Sequence, residues 1–194
     1  MYYLKTSGVL FAYILTMSLV AYAITMIQSP VARTILLILN ILLYCATVVA
    51  LQLKEGIDSV KVLKANNRNR EKIIETGEDI KIKRAEEYAP YKGFVFGALA
   101  YAPYVITLII HAILTAINPL NLGAGEIGAS LYMIFYAPIG FAFQANITAG
   151  VYYIGLYGMV IVSVLAGVSY LIGAKRIFAQ HEKIKELNKS IYGE

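Results

Sequence analysis

One cysteine, Cys45, and two histidines, His111 and His181, are all the sequence offers of the residues that most often ligate metals or work as a nucleophile and its base. A lone cysteine makes no intrachain disulfide and gives no sign of an oxidising compartment. Cys45 sits inside an apolar stretch, where it reads as a small core residue. No His-x-x-x-His or Cys-x-x-Cys spacing occurs and neither histidine stands beside a nucleophile, so no metal is expected. A Gly-rich phosphate loop is also lacking. Glu86-Glu87 opens like an intramembrane-protease motif, but Tyr91 stands where that motif needs a basic residue. No catalytic residue and no cofactor is expected from these patterns.

Charge is scarce too. Only 15% of residues are charged against 59% hydrophobic, and the mean hydropathy is +0.65, far from the soluble average. The charges present are unevenly placed. Of 17 Lys and Arg, ten fall in 54–92, five in 174–194, one is Lys5, and the last is Arg33. If the apolar segments 8–27, 34–53, 93–117 and 149–172 each cross a membrane, 16 of the 17 lie on one side, which is the positive-inside asymmetry. Each segment is long enough, since about 20 residues at about 1.5 Å rise match a hydrocarbon layer of about 30 Å. The expectation is an all-α integral membrane protein, a single domain over 1–194 built as a four-transmembrane-helix bundle. The Ile- and Lys-rich composition points to a bacterial cytoplasmic membrane, crossed several times, with both termini cytoplasmic. Arg33 and Glu126 are then the only outer charges, placed to pair or to guard an entrance.

The first segment has a rival reading. Lys5 followed by an apolar run and Ala21-Tyr22-Ala23 has the form of a signal peptide with its cleavage site. The run continues through Ile24, Met26 and Ile27, which favours a retained span.

Between the spans, the cytoplasmic loop 54–92 holds ten basic and eight acidic residues. That near balance makes it a solvated segment rather than a polybasic lipid-binding tail, and it lacks the net charge for nucleic acid. Ile57, Val60 and Leu63 recur at helical spacing, so the second span should continue about two or three turns before a break at Asn66-Asn67-Arg68-Asn69. For 72–83 a helix is preferred, on Ile73, Ile80 and the Asp79/Lys83 pair, over a hairpin using Ile80-Lys81-Ile82-Lys83 after Thr76-Gly77. The outer loop 118–146 has no Lys or Arg. Its apolar, aromatic part 127–143 is read as interfacial or re-entrant, because a fifth crossing would put the basic tail opposite the basic loop. The tail 174–194 is amphipathic, with Ile177, Ile184, Leu187 and Ile191 on one face, suited to pack on the cytoplasmic loop, to bind a partner helix or to lie on the headgroups, and the first is preferred because it needs no further component.

Inside the membrane, Pro103 should kink the third span near Leu99. Gly93 and Gly97 form a GxxxG spacing, and Ser163 with Gly167 a second small-xxx-small pair, both suited to close helix packing. Asn40 and His111 each lie about 9 Å below the outer boundary at about 1.5 Å per residue. Tyr22 and Tyr157 fall near that depth, and Asn40, Tyr44 and Thr47 share a helix face. A polar cluster of Tyr22, Asn40, Tyr44, His111 and Tyr157 would serve either as interhelical hydrogen bonding or as a small binding site or permeation path.

The stretches Asn67-Arg68-Asn69-Arg70, Glu86-Glu87-Tyr88 and Lys92-Gly93-Phe94, leading into a proline-containing span, resemble uncharacterised multi-span membrane proteins of clostridia and related Gram-positive bacteria. The resemblance implies a cytoplasmic-membrane location and carries no activity and no functional residue. Beyond the lipid bilayer itself, two function classes fit. One is a non-enzymatic accessory or assembly subunit that contacts a partner membrane protein, or a second copy of itself, through its small-residue faces and cytoplasmic helices. The alternative is a small oligomeric channel or transporter with its polar layer near Asn40 and His111.

Overall fold

Ser29-Pro30 sets the first helical hairpin. Ser29 is extended (φ −70°, ψ 113°) and its Oγ accepts the Ala32 N–H, while Pro30 opens the helix where a missing N–H leaves nothing unpaired. The helix therefore starts before Thr34, where the apolar span was placed. The computed structural model describes residues 2–117 and 151–192. They form α1 (Tyr2–Thr25), α2 (Pro30–Thr76), a 3-10 turn (Arg84–Glu86), α3 (Lys92–Ile117) and α4 (Val151–Tyr192), with no strand among the described residues. Among the described residues three helices are long and apolar enough to cross a membrane: α1, α2 and the Gly158–Glu186 part of α4. The described residues are thus all-helical in their regular structure, with the character of a membrane protein. The outer loop, with Glu126 and the segment 127–143, lies outside the described residues.

The 47 residues of α2 extend about 70 Å. They run through Asn66-Asn67-Arg68-Asn69 without the expected break. Asparagine side chains interrupt helices by competing for the local backbone, and here other groups occupy them. Asn66 donates to the Glu87 carboxylate (2.8 Å) and accepts the Lys83 N–H (3.3 Å), while Asn67 accepts from Arg70 one turn on (2.7 Å). The helix stops at Gly77, whose φ of 70° is left-handed and whose N–H bonds the Ile73 carbonyl at 3.0 Å. Of 72–83, then, only the part to Thr76 is helical, and 77–83 is neither helix nor hairpin.

The tail is a continuation of α4 and not a separate helix folded back on the loop. From Phe178 to Glu186 every residue is exposed, and Phe178 meets the Tyr88 ring of the loop edge-on. A uniformly exposed stretch has no packed face, so the expected docking of the tail on the loop is not formed there. The side chains of Leu187 and Ile191 are outside the described part.

Helix α4 packs along both α2 and α3, and α1 lies against α2 and α3. Glycines and small residues set these approaches. A Cβ at Gly93 would lie 2.9 Å from the Gly167 Cα, and one at Gly97 would lie 2.7 Å from the Ser163 Cα. Rising numbers on α3 meet falling numbers on α4, so the two run antiparallel. On the other side of α4, a Cβ at Gly56 would run into the Tyr170 carbonyl oxygen, and one at Gly173 into the Leu53 carbonyl oxygen. The core contains Leu10, Ile14, Tyr44, Val48, Tyr101 and Val162. α3 passes across Pro103 as one helix, with the buried rings of Tyr101 and Tyr104 on either side, 4.8 Å apart. The opposite face of α2 is bare: Ile38, Leu39, Leu42 and Leu43 are each more than half exposed. An apolar surface of that kind suits lipid and not water.

Candidate functional site

Among the described residues two polar regions occur along the bundle, and the sequence pointed to the one with fewer described contacts. Asn40 is buried on α2, and its Nδ2 donates to the Met17 carbonyl of α1 at 3.1 Å. Tyr44, one turn on, is also buried, and its hydroxyl has no hydrogen-bond partner. Thr47 is half-buried and spends its hydroxyl on the Leu43 carbonyl of its own helix (2.8 Å). Tyr22 does not join Asn40: it is 39% exposed, because the buried face of α1 runs through Ser7, Leu10, Ile14, Ser18 and Ala21 and Tyr22 lies about 100° off it. His111 and Tyr157 lie on α3 and α4, and their side chains are outside the described part. Arg33 is half-buried in the first turn of α2, its N–H bonded to the Ser29 carbonyl at 3.0 Å. Glu126 is outside the described residues.

What is visible of this layer is one interhelical hydrogen bond. Such bonds between apolar helices average about 0.6 kcal/mol. Asn40→Leu should therefore lower the melting midpoint in detergent by no more than about 3 °C. A fall several times larger would mean that Asn40 holds more than Met17.

The richer region is at the charged end. The buried face of α2 advances by i+4 from Asn40 through Tyr44, Val48, Gln52 and Gly56 to Val60, with Ser59 beside it. Its polar members face the start of α1, where the Tyr2 hydroxyl donates to Glu55 Oε1. Ser59 turns its hydroxyl back to the Glu55 carbonyl (2.8 Å). Lys92, the first residue of α3, is only 3% exposed. Its ammonium donates to the carbonyls of Ala85 (2.7 Å) and Glu87 and sits 5.4 Å and 5.5 Å from the ring centres of Tyr2 and Tyr3. Burial pushes the Lys92 ammonium below the ordinary lysine range, with the carboxylates of Glu87, Glu55 and Glu86 pulling the other way.

An aromatic collar surrounds this lysine. Phe96 makes ring contacts with Tyr2, Tyr3 and Tyr170, and Tyr88 stacks on Tyr170 at 5.7 Å with an interplanar angle of 8°. Outside the collar, Glu87 accepts from both Asn66 and Arg70. The connection 77–91 is thus strapped across α2 by Glu87 on one side and Lys92 on the other. Arg70, Glu87 and Lys92, separate in the sequence, meet at this strap.

Sequence reasoning missed Gln52, Ser59, Asn66, Gly56 and the burial of Lys92. Continuing the i+4 face from Asn40 and Tyr44 would have reached Gln52 and Gly56. Nothing local marks Lys92, whose partners are carbonyls of a segment without regular structure. Among the described residues, no group of three or more His, Cys, Asp or Glu side chains is placed to hold a metal ion. The arrangement does mechanical work: it ties the starts of α1 and α3 to α2 with buried polar contacts and to α4 with ring contacts. Comparison of the chain with protein-family models, with curated proteins and with solved structures returns no match in any of the three.

Proposed function

We propose that the chain is a four-span protein of a bacterial cytoplasmic membrane, with both termini cytoplasmic, that works as a non-enzymatic accessory or assembly subunit of a membrane complex. The observation that carries this reading is that α2 and α4 run on from their apolar parts into charged sequence and leave large apolar side chains uncovered there. Ile74 is 83% exposed and Ile184 is 57% exposed. These residues lie beyond the spans 34–53 and 149–172, so lipid does not cover them in this topology. A partner's helix would. The close approach of α2 and α4 at Gly56 and Gly173 supports a fixed spacing of the two helices, as a contact platform requires.

A channel or transporter passing Asn40 and His111 is the competing reading. The engagement of Asn40 with the α1 backbone, and the buried rings of Tyr44, Tyr101 and Tyr104 in the bundle, favour packing over a solute path.

Replacing Ile74 and Ile184 together by lysine tests the proposal, because both positions are solvent-exposed and the change leaves the bundle intact. Site-specific crosslinkers at the neighbouring exposed positions Glu75 and Glu182 in native membranes should trap a defined membrane protein, and the double lysine variant carrying the same crosslinkers should lose it while inserting normally. A trapped set that is unchanged by the double substitution overturns the reading.

A further inference from the structure

Where the apolar part of α1 and α2 meets the charged end, a cleft of about 630 Å³ opens between the two helices. Its walls carry two kinds of charge. Lys5 and Lys54 supply ammonium groups, and Glu55 and Glu86 supply carboxylates. Toward the apolar part the lining becomes Val9, Leu10 and Leu51. Gln52 also lines the cleft, is 1% exposed, and leaves its Oε1 without a hydrogen-bond partner. A buried acceptor without a donor carries a desolvation penalty that a bound N–H or O–H would remove.

We propose that this cleft binds the headgroup of a zwitterionic phospholipid bearing a primary amine, of the phosphatidylethanolamine class. The phosphate pairs with Lys5 and Lys54, and the ammonium faces Glu55, Glu86 and Gln52 Oε1. The acyl chains leave along Val9 and Leu51. The proposal rests on the membrane reading of these helices, because only then does the cleft lie at headgroup level. Charge complementarity selects this class over others. A purely anionic headgroup would bring its phosphate against two carboxylates with no cation for them. A choline headgroup has the same net charge but no N–H, so it leaves Gln52 Oε1 unpaired. The ethanolamine ammonium has three donors, and the cleft has the size of ordinary small-molecule sites, about 300–1,000 Å³.

The test uses the full chain in nanodiscs made of equal parts phosphatidylethanolamine, phosphatidylglycerol and phosphatidylcholine, with lipids retained after detergent extraction counted by native mass spectrometry. Phosphatidylethanolamine should be retained about tenfold over phosphatidylcholine, the worth of one charge-assisted hydrogen bond. Gln52→Met should reduce that preference toward parity. Lys5→Gln, at an exposed position where the fold is not at stake, should weaken retention of all three phospholipids together. Equal retention of the three lipids by the unaltered chain overturns the proposal, as does preferential retention of phosphatidylglycerol. Displacement of the lipid by soluble phosphoethanolamine at equal concentration also overturns it, by making the ligand a free metabolite. A chain that enters no nanodisc overturns the membrane reading itself, an outcome distinct from insertion without lipid preference.

Discussion

Replacing Gly56 by leucine should unseat α4 from α2 and lower the melting midpoint in detergent by about 10 °C, from an overpacking penalty of about 3 kcal/mol. Even a single Cβ at Gly56 would run into the Tyr170 carbonyl oxygen and come within 3.1 Å of the Ala174 backbone nitrogen. Those atoms are helix backbone, which cannot rotate aside as the end of a side chain can. Gly173 makes the reciprocal approach to the Leu53 carbonyl, so the two helices are in mutual contact over one turn. Opening that turn also pulls on Tyr170, whose ring touches both Phe96 and Tyr88. The effect should be graded, with Gly56→Ala losing part of what Gly56→Leu loses. Gly8→Ala is the control, because a Cβ there meets nothing within 4 Å, and a glycine removed from an open helix position gains about 0.5–1 kcal/mol. A midpoint for Gly56→Leu within a degree or two of the unaltered chain would mean that α2 and α4 do not approach as described.

Lys92→Met should cost about 3 kcal/mol at neutral pH, read as a midpoint lower by about 10 °C, because two buried carbonyls lose a charged donor. The pH dependence has a definite sign. Burial lowers the Lys92 pKa in the folded chain, whereas the unfolded chain keeps its proton up to the ordinary value of about 10.4. Between those two values the unfolded state binds more protons, so the titration of Lys92 adds stability as pH rises, and that increment, separate from the donor bonds present at neutral pH, is lost as pH falls through the folded value. The gap between the unaltered chain and Lys92→Met should therefore widen as pH is raised from neutral toward 10. Other titrating groups occur in both chains and cancel in the difference. A gap that narrows instead would show that the neighbouring carboxylates outweigh desolvation at this site.

Those two residues also mark where the sequence stops being legible. Helices long enough to cross a membrane follow from uncharged length alone, whereas the sequence places the start of α2 late, at Thr34, because Ser29-Pro30 reads as a turn as readily as an N-cap with proline at the first helical position. Small-residue spacing is local and can be read: Gly93 and Gly97, like Ser163 and Gly167, stand one helical turn apart. What the spacing does not hold is the pairing, in which Gly93 meets Gly167 and Gly97 meets Ser163. The helical spacing and the i+4 face of α2 reach Gly56, but the partner does not follow from them, since Tyr170 is more than a hundred residues away. The fate of Asn66-Asn67-Arg68-Asn69 depended in the same way on Glu87. A run of asparagines reads as a helix break until a distant carboxylate occupies one amide and an arginine one turn away occupies another. The layer around Asn40 was sought by depth along the span, which ignores rotation about the helix. Rotation is what places Tyr22 off the buried face of α1.

The four-crossing arrangement with a shared charged side is tested most directly by thiol accessibility in sealed, right-side-out membrane vesicles. With Cys45 replaced by serine, single cysteines are placed at Asp79, Glu182 and Glu126 and labelled with a membrane-impermeant maleimide before and after permeabilisation. Cysteines at 79 and 182 should react only after permeabilisation, and a cysteine at 126 should react before it. Labelling of position 182 from outside while position 79 stays protected would place an odd number of crossings between them and contradict the arrangement.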